Sequence, residues 1–297
     1  MRLMNPLVVT AGLALAALLA ACSGAATARD EYGTPSTTPT TSKALNLVVV
    51  GDSIAFGGHF CPGCNDFVAQ YATIEQSRTG RKIKTENRSR DDTPGLPEIV
   101  TQVKTDKSLR HELAAADIVI VSVGGNNALP DLGNPPPGGL KPECDLVAPG
   151  FTDTIIGHIV ATTLACNAKE VAAWAPSYDS IFGTIAGLRR NRLTVLIALN
   201  VHDGNLDNPD IKAAMDAATF MKTQEIIIDV YDKWNTMLCA QAKSHSFACV
   251  DLYHAFDGPR GNKKQPNLTV DGTHPSQAGH DVIAALLAKI NPAAVFG

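Results

Sequence analysis

Leu45-Asn46-Leu47-Val48-Val49-Val50-Gly51-Asp52-Ser53-Ile54 is the stretch from which the fold is read. A short apolar run stopped by glycine predicts a strand buried on both faces, because a strand with one wet face alternates apolar and polar side chains. The same form returns in Asp117-Ile118-Val119-Ile120-Val121-Ser122-Val123 and in Leu193-Thr194-Val195-Leu196-Ile197-Ala198-Leu199. Shorter strands are expected at 81–87 and 247–252. Between them the apolar spacing turns helical. One helix is expected over 97–116, carrying Ile99, Val103, Leu109 and Leu113 with Pro97 in its first turn. Further helices are expected over 152–173, 177–189 after the interruption at Pro176, 209–242 and 276–289. Strand and helix in alternation imply a parallel sheet covered on both faces. The expected fold is a three-layer α/β/α sandwich with a five-stranded parallel sheet, flavodoxin-like. In such sheets ligands bind beyond the carboxyl ends of the strands, so chemistry belongs directly after them.

Three polar clusters fall there. They are Gly51-Asp52-Ser53-Ile54, Gly124-Gly125-Asn126-Asn127 and Asp271-Gly272-Thr273-His274. A serine hydroxyl attacks only when a base takes its proton, and that base needs a third group to orient it. Asp271 and His274, three apart on a loop, can supply both. An oxyanion needs donors, and the Asn126 amide with the Ser53 backbone N–H would serve. Alone, Gly-Asp-Ser is commonly a turn and Asp-x-x-His commonly a helix-start cap; their order after successive strands is what points to nucleophilic catalysis.

With these residues the chain resembles the SGNH, or GDSL, hydrolase family over residues 45–292. Gly51-Asp52-Ser53 matches the family's first block, 124–127 its third and 271–274 its fifth. The resemblance implies a serine ester hydrolase that cleaves carboxylic acyl esters of a lipid, glycan or small molecule through an acyl-enzyme. It assigns Ser53 as nucleophile, His274 as general base and then acid, and Asp271 as orienting carboxylate. Asn126 enters the oxyanion hole, and neither metal nor organic cofactor is required. The second block departs from the pattern, because Asn87-Arg88-Ser89-Arg90-Asp91-Asp92-Thr93 has Asp91 or Asp92 in place of a glycine whose N–H joins the oxyanion hole. The backbone N–H of Asp92 survives that replacement, and its carboxylate is expected to pair with Arg88 or Arg90. Asn127 stands where the family usually has aspartate, at a position expected to be structural. His202 is expected to be a loop histidine bordering the crevice, and His280 a structural contact.

The chain has 297 residues, 45% of them hydrophobic and 18% charged, enough to bury a large core. A net charge of -4 without a basic cluster gives no reason to expect nucleic acid. Residues 1–21 read as an export signal whose apolar run is too short to span a bilayer. Leu19-Ala20-Ala21-Cys22 resembles the lipobox of bacterial lipoproteins, which implies a lipid on Cys22. Residues 22–43 would then be a flexible tether and 44–297 one hydrolase domain, a monomer held by its anchor at the outer face of the cytoplasmic membrane or cell envelope. An ordinary secretory signal would release it instead. The remaining six cysteines, Cys61, Cys64, Cys144, Cys166, Cys239 and Cys249, are an even number, which favours disulfides in an exported domain. Fifteen connectivities exist. The most local pairs Cys61 with Cys64, Cys144 with Cys166 and Cys239 with Cys249. Cys61-Pro62-Gly63-Cys64 could alternatively be a redox dithiol, and with His59 it falls short of the four ligands of a structural zinc site. Residues 129–150, rich in proline and glycine, are a candidate wall or lid of the site. The competing class is a binding lipoprotein that keeps the fold without turnover.

Overall fold

Alternate residues of strand β1 (Leu45–Gly51) feed two separate cores, which is why the whole run is apolar. The structure, a computed structural model, describes residues 43–57, 59–127, 144, 148, 150 and 155–296. The expected signal at 1–21, Cys22, the tether to residue 42 and nearly all of the insertion at 129–150 lie outside the described residues. In chain order β1 is followed by α1 (Ser53–Phe56), α2 (Phe67–Thr79), β2 (Ile83–Asn87), α3 (Leu96–Thr105), α4 (Lys107–Ala115) and β3 (Ile118–Ser122). Then come α5 (Ile155–Ala161), α6 (Leu164–Leu188), β4 (Val195–Leu199), α7 (Pro209–Ala213), α8 (Ala217–Ser244), β5 (Ala248–Val250), α9 (Tyr253–Asp257), α10 (Gln277–Leu287) and α11 (Ala293–Phe296).

The five strands form one parallel sheet in the order β2-β1-β3-β4-β5. Helices cover both faces. Val48, Val50, Val119, Val121 and Ala198 face α3, α4, α6 and α8, whereas Leu47, Val49, Ile118, Ile120 and Ile197 face α2 and α10. The order reverses at β1 and β3, whose Gly51 and Ser122 are register partners, and this puts the switch point of the sheet at the ends of these two strands.

Three helix boundaries differ from expectation, each for a local reason. The stretch 97–116 is two helices, because the Asp106 carboxylate accepts from the N–H groups of Ser108 (2.9 Å) and Leu109 (3.0 Å) and so starts α4 where α3 ends. Likewise 209–242 divides into α7 and α8, with Asp216 capping Ala218 and Thr219 at 2.9 and 3.0 Å. Pro176 does not end a helix: α6 begins at Leu164, capped by Thr163, and runs through the proline. Pro176 and Ala172, whose carbonyl loses its donor, both lie on the exposed side, where water can replace the missing bond. On the opposite side Trp174, Tyr178, Ile181 and Phe182 are buried against the sheet and hold the helix in place.

The disulfides take the most local pairing: Cys61–Cys64, Cys144–Cys166 and Cys239–Cys249. The last ties α8 to the edge strand β5. Deep in the larger core Trp234 Nε1–H donates to the Tyr178 hydroxyl (2.8 Å), which donates to the Val123 carbonyl (3.1 Å) at the end of β3. Tyr178→Phe leaves that indole N–H and that carbonyl unpartnered in a dry site, so it should destabilise the fold by about 1–3 kcal/mol, measured by denaturant titration.

Candidate active site

At the end of β1 the backbone is packed so tightly that a Cβ on Gly51 would lie 2.6 Å from the Ala55 Cβ and 2.9 Å from the Ser122 carbonyl. Glycine is therefore required for the turn that delivers Ser53. Asp52 follows, buried, with its carboxylate accepting from the N–H groups of Ile54 (3.2 Å), Gly124 (3.2 Å) and Gly125 (3.3 Å). It caps α1 and also joins the end of β1 to the loop after β3. Burial pushes its pKa up to about 6, against the opposite pull of these N–H donors. Gly124 has a φ of 119° and a Cβ there would collide with the Tyr178 hydroxyl, so the turn after β3 also admits only glycine.

That turn carries the two asparagines. The buried Asn127 accepts from the Leu96 N–H at 2.9 Å and anchors the start of α3, a structural part. Asn126 is half-buried, and its Nδ2 donates to the Pro94 carbonyl at 3.1 Å. This ties the second cluster to residues 88–94. There Asp92 pairs with Arg90, one of the contacts being Nε to Oδ1 at 2.8 Å, whereas Arg88 binds Asp106 and Glu112. Thr93 between them has φ 51°, an unfavourable backbone for a β-branched residue.

The third cluster sits on a narrow loop closed by the bridge between Thr269 and Pro275. Asp271 Oδ1 accepts from the N–H groups of Thr273 (2.9 Å) and His274 (2.7 Å), and Oδ2 lies 2.6 Å from His274 Nδ1. Burial pushes the Asp271 pKa up, but the hydrogen bonds from His274 and Thr273 outweigh it and hold the carboxyl below its usual range. With Nδ1–H donated to this carboxylate, Nε2 presents a lone pair to the Ser53 Oγ, 3.1 Å away. Ser53 and Asp271 thus lie at opposite edges of one imidazole. One face of the His274 ring is stacked on Phe60, with centroids 3.5 Å apart and planes 1° from parallel.

A second Asp-x-x-His, Asp251 to His254, repeats the local arrangement, with Nδ1 2.6 Å from Oδ2 and the His254 N–H 3.1 Å from Oδ1. It receives an Asn200 amide at 3.0 Å and, among the described residues, no hydroxyl. The spacing alone therefore makes a hydrogen-bonded dyad, and the serine must come from the tertiary fold.

His202 is a loop histidine after β4 with a supporting role that sequence reasoning missed. Burial pushes its pKa down to about 4, so the ring is neutral at pH 7 and its Nε2–H donates to the Thr273 carbonyl at 2.6 Å. Its face stacks on Phe256 at 4.6 Å. Beside it lie Asp203 and Asp257, both fully buried, with the Asp203 N–H donating to Asp257 Oδ2 at 2.6 Å. Asp203 Oδ2 and Asp257 Oδ1 have no hydrogen-bond partner among the described residues. His280 is buried and packs on Phe67, a structural contact.

Residues 49–282 match the GDSL-like lipase/acylhydrolase family. The chain belongs to that family. It is accordingly a carboxylic ester hydrolase, and the five-stranded parallel sheet with helices on both faces is the GDSL fold. No curated protein matches the sequence. Among solved structures it is similar to the lipase Lip_vut3 from a goat rumen metagenome, at 15% identity and TM-score 0.59 over 83% of this chain and 97% of that one. An extracellular lipase from Streptomyces rimosus gives 15% identity and TM-score 0.53 over 83% and 99% of the two chains. A mutant of Axe2, an acetyl-xylooligosaccharide esterase from Geobacillus, gives 13% identity and TM-score 0.51 over 84% and 94%. At these identities the likeness is one of fold.

Burial raises the pKa of Asp203 to about 8 and that of Asp257 to about 7; the Asp257 charge raises that of Asp203 further, and Lys264 acts on both in the other direction. An acid whose pKa is higher folded than unfolded gives stability that is full below its unfolded value, 3.8 here, and is lost as the pH rises through the folded value. The denaturation midpoint should therefore fall as the pH rises from about 4 to about 8, and Asp203→Asn, which keeps the shape without the titration, should flatten that fall.

Proposed function

We propose that this GDSL-family hydrolase cleaves carboxylic acyl esters through an acyl-enzyme on Ser53. The observation that carries the reading is the continuous contact from Ser53 Oγ to His274 Nε2 (3.1 Å) and from His274 Nδ1 to Asp271 Oδ2 (2.6 Å). His274 takes the serine proton as Oγ attacks the ester carbonyl, and Asp271 stabilises the imidazolium formed. The tetrahedral oxyanion is met by the Ser53 N–H and the Asn126 amide, with the backbone N–H of Asp92 as a third donor. Collapse breaks the bond to the alcohol, which leaves with the proton carried on Nε2. Water then attacks the acyl-serine, gives its proton to the same nitrogen, and the carboxylic acid departs as Oγ recovers the proton. Every step uses side chains and backbone of this chain.

The substrate is an acyl ester of a lipid, a glycan or a small molecule. Export and a lipid on Cys22 would hold the enzyme at the outer face of the membrane, with residues 22–43 as spacer. Metabolic labelling with a fatty-acid analogue should then tag the wild-type protein and not Cys22→Ala; exported wild-type protein that takes no label would refute the anchor.

A fluorophosphonate probe should label the full-length protein, and Ser53→Ala should abolish labelling. Folded wild-type protein that takes no label would instead be a binding lipoprotein. His274→Ala should lower kcat for a short aryl ester by about 10³-fold or more.

A further inference from the structure

We propose that Phe60 is a positioning residue for His274, acting as the tip of a clasp closed by the Cys61–Cys64 disulfide; the inference rests on the reading of Ser53 and His274 as nucleophile and base. The hydrogen bonds of His274 are unequal over a catalytic cycle. Nδ1 keeps Asp271 throughout, whereas Nε2 exchanges the serine hydroxyl for the leaving alcohol and then for water. Between those partners the ring is held by hydrogen bonds at one edge only, and Asp271 is itself about half exposed. A flat ring lying parallel on the imidazole at 3.5 Å fixes its plane through the whole cycle. It also shields that face from water and places its quadrupole against the positive charge that appears during attack.

The segment that carries Phe60 is built to hold it there. Behind it the edge of His59 meets Phe60 at 5.2 Å, and Phe56 on α1, the helix that begins with Ser53, meets His59 at 6.4 Å. Ahead of it the disulfide from Cys61 to Cys64 closes a tight loop, which the Cys64 N–H reinforces by donating to the Cys61 carbonyl at 2.9 Å. The next residue, Asn65, donates its N–H to Gln277 Oε1 (2.8 Å), and its carbonyl accepts from Gln277 Nε2 (3.3 Å) and Gln70 Nε2 (2.7 Å). Gln277 is the first residue of α10, three after His274. The loop thus grips the base-bearing segment twice, by stacking on the imidazole and by pairing with the helix that follows. A disulfide between these two grips keeps their spacing fixed.

The test uses full-length protein and a short aryl ester. Phe60→Leu keeps an apolar cover but removes the flat face, and it should lower kcat by about tenfold with KM changed less than about twofold. The rate of fluorophosphonate labelling should fall in parallel. Phe60→Tyr restores the ring and should stay within about twofold of wild type in both. The double substitution Cys61→Ser and Cys64→Ser should slow the wild-type background and add little in the Phe60→Leu background, since both act on the same ring. Unchanged kcat in Phe60→Leu, a change confined to KM, or cysteine and phenylalanine effects that multiply would each overturn the proposal. Should Phe60→Leu fail to fold, a Phe60→Tyr variant that folds yet loses about tenfold in kcat would overturn it as well. Wild-type protein that takes no probe would defeat the underlying hydrolase reading, an outcome separate from a labelled wild type whose Phe60→Leu variant labels equally fast.

Discussion

The carboxylate of Asp52 holds the two halves of the site together. Ser53 follows β1 and Asn126 follows β3, and parallel pairing of these strands ends at Gly51 and Ser122. The last backbone bond between them runs from the Asp52 N–H to the Ser122 carbonyl (3.1 Å). Asp52 takes over by accepting from Gly124 and Gly125 across the gap while it caps the helix that presents Ser53. A carboxylate is suited to this because it has acceptor capacity for all three N–H groups. The cost is a buried charge, visible in a pKa raised to about 6.

Carboxylates of one residue type behave differently around this crevice because their surroundings differ. Asp271 sits at the rim with three hydrogen bonds, which hold its carboxyl below the usual range and keep it an anion. Asp203 and Asp257 lie in the dry layer beneath the same loop, and each is pushed towards its neutral form. The neutral His202 belongs with them, since it supports the Thr273 carbonyl without bringing a second positive charge close to His274.

The sheet was legible in the sequence because a strand buried on both faces leaves a run of apolar residues that few other structures require. The helices were legible as periodicity but not in their limits. Asp106 and Asp216 carry an ordinary capping signal that apolar spacing overrode, and Pro176 is tolerated only because its exposed side meets water, which a one-dimensional reading does not contain. Ser53 could be read because it follows the end of β1, where the fold converges, whereas Asp271 and His274 lie well past β5, beyond α9 and just before α10, so that only the tertiary fold brings them to Ser53. Asp251 and His254 show the limit of that reading, since they make the same local hydrogen bonds where, among the described residues, no serine hydroxyl meets the histidine. Phe60 left no signal at all: its contact joins residues more than two hundred positions apart, and nothing in the loop at 57–66 announces which ring it will meet.

The two borders of the sheet have a consequence for how the protein behaves in crowded company. An unpaired strand edge is a template on which another chain can lay a strand. On one border β5 has three residues, and the bridge from Cys239 to Cys249 keeps α8 beside it. On the other, β2 carries the Lys84–Glu86 ion pair, so a neighbour docking there must strip water from two charges. Both margins of the sheet are thus blunted against the addition of a strand from another chain.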